Sequence, residues 1–146
     1  REKNLQLIFE NSSNEEMWVK AEEKSLTNSV LSNIVSNAIK FSHAGGTVRL
    51  SATSYSDEVI FSIADSGVGI PKHLQLRIFS AENESAKGTW NEKGTGIGLM
   101  LCHEYVAENG GKLWVESKEG EGSTFYFSLR RQLVQASASH SFRQMA

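Results

Sequence analysis

The chain has 146 residues, of which 39% are hydrophobic and 22% charged, so it is long enough for one domain with an ordinary core. A net charge of −2 gives no bias towards nucleic acid, and no apolar stretch approaches the roughly 20 residues that a membrane helix needs. The single cysteine, Cys102, excludes an internal disulfide and suits a reducing compartment. We expect this cysteine to be a buried packing residue.

Two short strand patterns open the chain, over residues 5–10 and 17–21, and a polar turn of Asn and Ser joins them. From about residue 22 to residue 42 the apolar period lengthens to about four, which predicts an amphipathic helix. Its apolar stripe contains Leu26, Val30, Ile34 and Ala38.

Alternating apolar residues over 48–52 and 59–63 predict a hairpin around the turn at residues 56–58. Pro71 can open a short helix that runs to about residue 79. The polar stretch 80–93 is long for a segment without structure and predicts a functional element such as a lid. A second amphipathic helix over 99–109 and a second hairpin from 112–117 and 123–129 follow.

This order of elements favours an α+β fold, a two-layer sandwich with a mixed, mostly antiparallel sheet, over a doubly wound one. Residues 1–131 are expected to form the domain. Residues 132–146, rich in Ser, Ala and Gln, are expected to be a disordered tail or linker. Because the chain starts at Arg1, we expect it to be a fragment of a longer protein.

Asn33, Asn37 and Lys40 lie on one face of the first predicted helix, because their spacings are four and three residues. A neutral amide oxygen suits Mg²⁺, and a lysine one turn further on can reach a phosphate. A solvated polar face of a surface helix explains the same spacing, so this pattern alone leaves both interpretations open.

A second polar feature, Asp65-x-Gly67-x-Gly69, follows a strand directly. A carboxylate at a strand end can accept a hydrogen bond from the exocyclic amine of adenine, whereas it would repel the carbonyl of guanine. The glycines let the backbone approach a flat base closely. A plain turn is the alternative, because Asp and Gly are common turn residues.

The third feature, Gly94-x-Gly96-x-Gly98, opens the second helix. Unpaired N–H groups and the positive end of the helix dipole make such a start an anion site. Its spacing is neither GxGxxG nor GxxxxGK[ST], and a flexible loop is the alternative. All three features occur in order on suitable elements, so three coincidences would be needed to dismiss them.

Together these motifs resemble the GHKL ATPase superfamily in its sensor histidine kinase form. Residues 33–42 are similar to its N box, 65–71 to its G1 box, 77–79 to the start of its F box, 93–99 to its G2 box and 122–125 to its closing strand. The F box of the family carries a second Phe, which this chain lacks, and Trp90 is the next aromatic residue.

The resemblance implies a Bergerat fold, with about three helices over one face of a mixed sheet and ATP held between the N-box helix and the lid. It implies that Asn37 ligates Mg²⁺ with help from Asn33, and that Lys40 contacts phosphate. Phe41 and Asp65 would bind adenine, with Thr124 acting through water. The remaining nucleotide-binding positions would be Gly67, Gly69, Ile70, Lys93, Gly94, Thr95, Gly96, Gly98 and Leu99.

Hydrolysing members of the superfamily carry a Glu one turn before the metal-binding Asn, where it is a general base for water. Asn33 stands at that position and has no basic lone pair. The resemblance therefore implies a catalytic domain that donates the γ-phosphoryl of ATP to a histidine, because no hydrolytic base is present.

None of the four histidines lies in a phosphoacceptor pattern, so we expect the acceptor on a dimerisation domain outside this chain, with a response regulator downstream. We expect a monomeric cytoplasmic fragment without nucleic-acid or membrane contact; whether the parent is a membrane sensor stays open. Two alternatives remain: a nucleotide-binding interaction module without phosphotransfer, and a serine kinase of the anti-sigma-factor type.

Overall fold

Five strands form one mixed sheet in the computed structural model, which describes residues 3–11, 26–80 and 98–131. Their order across the sheet is β1-β2-β3-β5-β4, and β1 is parallel to β2 while the other pairs are antiparallel. The strands are β1 (Gln6–Asn11), β2 (Thr47–Ser54), β3 (Glu58–Asp65), β4 (Leu113–Lys118) and β5 (Gly122–Arg130).

The two predicted hairpins are confirmed as the β2–β3 and β4–β5 pairs, and the predicted α+β fold with a mostly antiparallel sheet is confirmed. The first strand is also present, but within the described residues its partner is β2, in parallel. The strand predicted over residues 17–21 lies outside the described residues. A parallel pair needs a crossover connection, and the first helix provides it here.

The helices are α1 (Ser32–Phe41), α2 (Lys72–Gln75) and α3 (Gly98–Glu108), and a π-helical segment, Leu26–Leu31, leads into α1. Helix α1 buries Ile34 and Ala38, as the apolar stripe predicts, and α3 buries Cys102 and Val106. These side chains join buried residues of β2, β3 and β5 in a single core. The helices therefore pack on one face of the sheet.

The π-helical segment was not predicted from the sequence. The Ser29 carbonyl within it accepts hydrogen bonds from the Asn33 amide nitrogen and the Cys102 thiol, at 2.5 and 3.1 Å. Two side-chain donors, one of them from α3, thus bond to a backbone carbonyl in the segment where the backbone hydrogen bonds have the i→i+5 spacing of a π-helix. Cys102 is buried, as expected. Burial raises the pKa of its thiol to about 11, so the thiol stays protonated.

Helix α2 is shorter than the prediction, which placed it from Pro71 to about residue 79. Pro71 precedes the helix with extended backbone, and after Gln75 the chain continues in turns with i→i+3 bonds, such as Arg77 N–H to the Leu74 carbonyl. Helix α3 ends as expected: Gly110 has a φ of 77°, which glycine adopts without steric cost.

Across residues 3–11, 26–80 and 98–131, no helix combines the length and apolar character needed to cross a bilayer.

Phe127 lies at the centre of the core, fully buried and stacked on Phe61 with ring centroids 4.8 Å apart. We expect Phe127→Ala to lower the free energy of unfolding by about 3–5 kcal/mol, because it removes an aromatic ring and leaves a cavity. Leu76 is 93% exposed, so Leu76→Ala is the matched control and should change stability by less than about 0.5 kcal/mol. Urea denaturation measures both, and equal effects would contradict this description of the core.

Candidate functional site

The polar face of α1 carries the first three predicted site residues, Asn33, Asn37 and Lys40, and all three are partly buried. The amide nitrogen of Asn33 is held by the Ser29 carbonyl, which turns its oxygen towards the start of α3. A Cβ built on Gly98 would lie 2.6 Å from that oxygen. Glycine at position 98 therefore leaves room for the Asn33 amide. The structure thus brings these two predicted site residues together.

Asn37 lies one turn further along the same face, and its side chain has no hydrogen-bond partner among the described residues. Two neutral amide oxygens on one helix face are hard oxygen donors of the kind that Mg²⁺ accepts beside water and phosphate. This donor set thus fits a magnesium ion.

Lys40 and Phe41 form the end of α1, with the Lys40 ammonium 4.9 Å from the centroid of the Phe41 ring. The Phe41 carbonyl accepts the Val68 N–H at 3.1 Å. A Cβ on Gly67 would collide with the same carbonyl. Glycine at position 67 is therefore required by the close approach of two backbones, which joins the helix end to the loop after β3.

Asp65 ends β3, and one of its carboxylate oxygens accepts the Gly67 N–H at 2.9 Å. Burial raises the pKa of this carboxyl, and hydrogen bonds from the backbone of Gly67 and Ser123 oppose the rise without cancelling it. The Asp65 side chain is thus held in a fixed direction at the strand end, where it is partly shielded from solvent.

The register of the sheet places Ser123, not Thr124, beside Asp65. Ser123 is the cross-strand partner of Asp65, whereas Thr124 pairs with Ala64. Successive residues of a strand point to opposite faces, so the Thr124 side chain lies on the other face of the sheet. The alternation along β5 could have shown this, because Ser123 has the same parity as buried Phe125.

The loop over residues 66–70 is fixed on its other side by the β4–β5 hairpin. The Val68 carbonyl accepts the Gly120 N–H at 2.8 Å. Gly69 has a φ of 71°, and a Cβ there would collide with the Lys118 carbonyl. The loop therefore lies between the end of α1 and this hairpin, with close backbone contacts on both sides.

Gln75 and Ser117 are two further loop contacts that the sequence did not reveal. The Ser117 hydroxyl accepts the Ile70 N–H at 2.8 Å and lies 2.7 Å from the Ser123 hydroxyl. The Gln75 amide nitrogen donates to the carbonyls of Ile70 and Ser117, at 2.8 and 3.0 Å. One side chain of α2 thus ties the loop to β4.

The predicted glycine loop before α3 falls mostly outside the described residues. The undescribed positions of this loop include Lys93, Gly94, Thr95 and Gly96. Trp90 and most of the predicted lid also lie outside the described residues. Leu99 is described, and it packs against the core at the first turn of α3.

We expect Gln75→Leu to loosen the loop, because it keeps the side-chain bulk and removes both hydrogen bonds. The free energy of unfolding should fall by about 1–2 kcal/mol, since two carbonyls lose their donor. Amide exchange at Val68 and Ile70 should quicken more than in the core. Gln6 is exposed on β1, so Gln6→Leu is the control; equal exchange in the two variants would show that Gln75 does not hold the loop.

Comparison with known proteins assigns this arrangement to a family. Residues 22–133 match the model of the histidine kinase-, DNA gyrase B- and HSP90-like ATPase family. The adaptive-response sensory kinase SasA of Prochlorococcus marinus is 40% identical over 108 residues, which are 73% of this chain and 28% of SasA. The chain thus spans little more than a quarter of that relative's length.

Solved structures agree with this assignment. The catalytic domain of the histidine kinase ThkA superposes with a TM-score of 0.75 at 32% identity, over 88% of this chain and 82% of that domain. ThkA in complex with the response regulator TrrA superposes with a TM-score of 0.69 at 27% identity, over 89% of this chain and 35% of that one. The chain belongs to the histidine kinase-, DNA gyrase B- and HSP90-like ATPase family, and it is an ATP-binding catalytic domain of the sensor histidine kinase type.

Proposed function

We propose that this domain binds ATP with Mg²⁺ and donates the γ-phosphoryl group to a histidine on a dimerisation domain elsewhere in its full-length protein. The observation that carries the proposal is Asn33, one turn before Asn37 and with its oxygen facing Gly98. An amide at this point can orient or ligate, but it cannot take a proton from water. ATP held here is therefore kept for an incoming nucleophile.

We assign the phosphate end of the nucleotide to α1. Asn37 would hold Mg²⁺ through its amide oxygen, with Asn33 assisting, and Lys40 would bring a positive charge to the phosphates. When bound, the ion would neutralise part of the negative charge that develops during phosphoryl transfer. Gly98 and the glycines at 94 and 96 would surround the phosphates with backbone N–H groups at the start of α3.

The adenine end is assigned to the loop after β3. Asp65 would accept a hydrogen bond from the exocyclic amine, and Phe41 would pack on the base. Gly67, Gly69 and Ile70 would shape this wall of the pocket. Ser123 replaces Thr124 in our assignment, because its hydroxyl lies on the same face of the sheet as Asp65.

The wider assignments follow from the family and the relatives. The ThkA–TrrA complex supports a response regulator as the final acceptor of the phosphoryl group. We place the domain boundary near residue 131, where the last described strand has ended, with 132–146 as a linker or tail. A cytoplasmic site, where ATP and reduced thiols are available, suits the buried Cys102 thiol.

Mixing the domain with the separately made histidine-bearing domain of its own protein tests the proposal. With labelled ATP and Mg²⁺, we expect label on the acceptor histidine and loss of nearly all of it in Asn37→Ala, because the metal ligand is removed. Ser36→Ala, exposed on the same helix, is the control and should retain transfer. Binding of ATP with no label on the acceptor would instead favour a nucleotide-binding module, and label on a partner serine would favour a serine kinase.

Asp65→Asn should weaken ATP binding by about tenfold and reduce the preference for ATP over GTP, because a neutral amide is a poorer acceptor. The raised pKa of Asp65 means that the folded protein binds this proton more tightly than the unfolded chain does. The charged carboxylate therefore lowers stability at neutral pH, and this loss disappears as the pH falls through the raised pKa.

The variant should for that reason be more stable than the wild type at pH 7, with a difference that narrows in acid. Calorimetric titration with ATP and GTP and urea denaturation across pH measure the two effects. Asp57→Asn, exposed in the β2–β3 turn, is the control. Unchanged preference between ATP and GTP would remove Asp65 from the adenine site.

A further inference from the structure

Lys3 is a buried lysine that precedes β1, with only 8% of its surface exposed. Its Nζ donates to the carbonyls of Ile39, Lys40 and Ser42, at 2.9, 3.0 and 3.2 Å. A lysine ammonium has three N–H groups, and three acceptors converge on it here. An ammonium removed from water is costly unless all its hydrogen bonds are replaced, so this geometry is what allows Lys3 to be buried.

The three carbonyls belong to the end of α1, which finishes at Phe41. Carbonyls in the last turn of a helix have no i+4 partner, and the partial negative charge of the helix dipole is concentrated there. A cation at this end is favourable on both counts. Lys3 thus caps the C-terminus of α1 from a distant part of the chain.

The capped turn carries two residues of the nucleotide site. Lys40 supplies one of the three carbonyls, and Phe41 is the next residue along. The Phe41 carbonyl in turn accepts the Val68 N–H of the loop after Asp65. Lys3 is itself held by the turn after α1, because its carbonyl accepts the Gly45 N–H at 2.8 Å. A shift of Lys3 would therefore move the helix end and the loop together.

We infer that Lys3 is a positioning residue for the nucleotide site: it holds the last turn of α1 so that Lys40 and Phe41 face the ligand. The inference rests on the proposed function for the identity of the ligand, Mg·ATP. It does not rest on it for the mechanical link from Lys3 to Val68, which consists of hydrogen bonds within the chain.

The test compares Lys3→Met, which keeps the length of the side chain and removes its N–H groups, with Lys112→Met, an exposed lysine at the far edge of the sheet. Calorimetry with Mg·ATP should give a dissociation constant raised about tenfold for Lys3→Met, equivalent to about 1.4 kcal/mol. Lys112→Met should bind like the wild type. Amide exchange without nucleotide should quicken at Ser42 and Val68 in Lys3→Met, while the amide of Phe127 stays protected.

A second variant, Lys3→Gln, keeps two N–H donors and decides the question if Lys3→Met does not fold; its dissociation constant should rise about threefold. Wild-type affinity and wild-type exchange at Val68 in the folded variants would overturn the inference. Failure of the wild-type domain to bind ATP would refute the proposed function, and exchange at Val68 would still decide whether Lys3 holds the helix end.

Discussion

The carbonyl of Phe41 is the point on which the geometry of this site depends. It accepts the Val68 N–H, and it lies so close to Gly67 that any side chain there would displace it. A helix end and a strand-end loop are thereby held in direct backbone contact. Lys40, assigned to phosphate, lies on the helix side of this contact, and Asp65, assigned to adenine, precedes the loop on its other side. The distance between their backbones is therefore set by peptide geometry, which varies little.

Support for this contact comes from residues that do not themselves reach a ligand. Lys3 holds the helix side of it, and Gln75 and Ser117 hold the loop side. All three act on backbone groups: Lys3 and Gln75 donate to carbonyls, and Ser117 accepts the Ile70 N–H. The site is therefore preorganised by hydrogen bonds that each join a supporting side chain to a peptide group, and this limits the reorganisation that ligand binding requires.

The elements were largely predictable from the sequence, because their information is local. Period-two alternation located β2, β3, β4 and β5, and the period-four stripe located α1. Three details were not predictable in the same way. In the π-helical segment, the Ser29 carbonyl accepts a hydrogen bond from a thiol of another helix. Lys3 donates to carbonyls some forty residues further along the chain, and Gln75 donates to a β4 carbonyl at a similar separation. Such contacts leave no periodic trace, since only the folded topology brings their partners together.

The preference for Ser123 over Thr124 rests on information of a different kind. A motif match depends only on the order of residue types along the chain. The register of β3 and β5, in contrast, shows which side chains lie on the same face of the sheet. Ser123 lies opposite Asp65, so the alternation rule, applied to β5 alone, would have been the better guide. Motif and pleat give independent information, and where they disagree in a strand the pleat decides which side chain can reach the site.

The parallel pairing of β1 with β2 has a consequence for how the protein acquires its structure. The two hairpins close short loops and should form early, whereas β1 can dock only after the chain between Gln6 and Thr47 has been folded back. Lys3 enters its place with β1, so the end of α1 is capped late. A nascent or partly unfolded domain would then have most of its sheet while its nucleotide site is still loose, and binding competence would be among the last properties gained in folding and the first lost in unfolding.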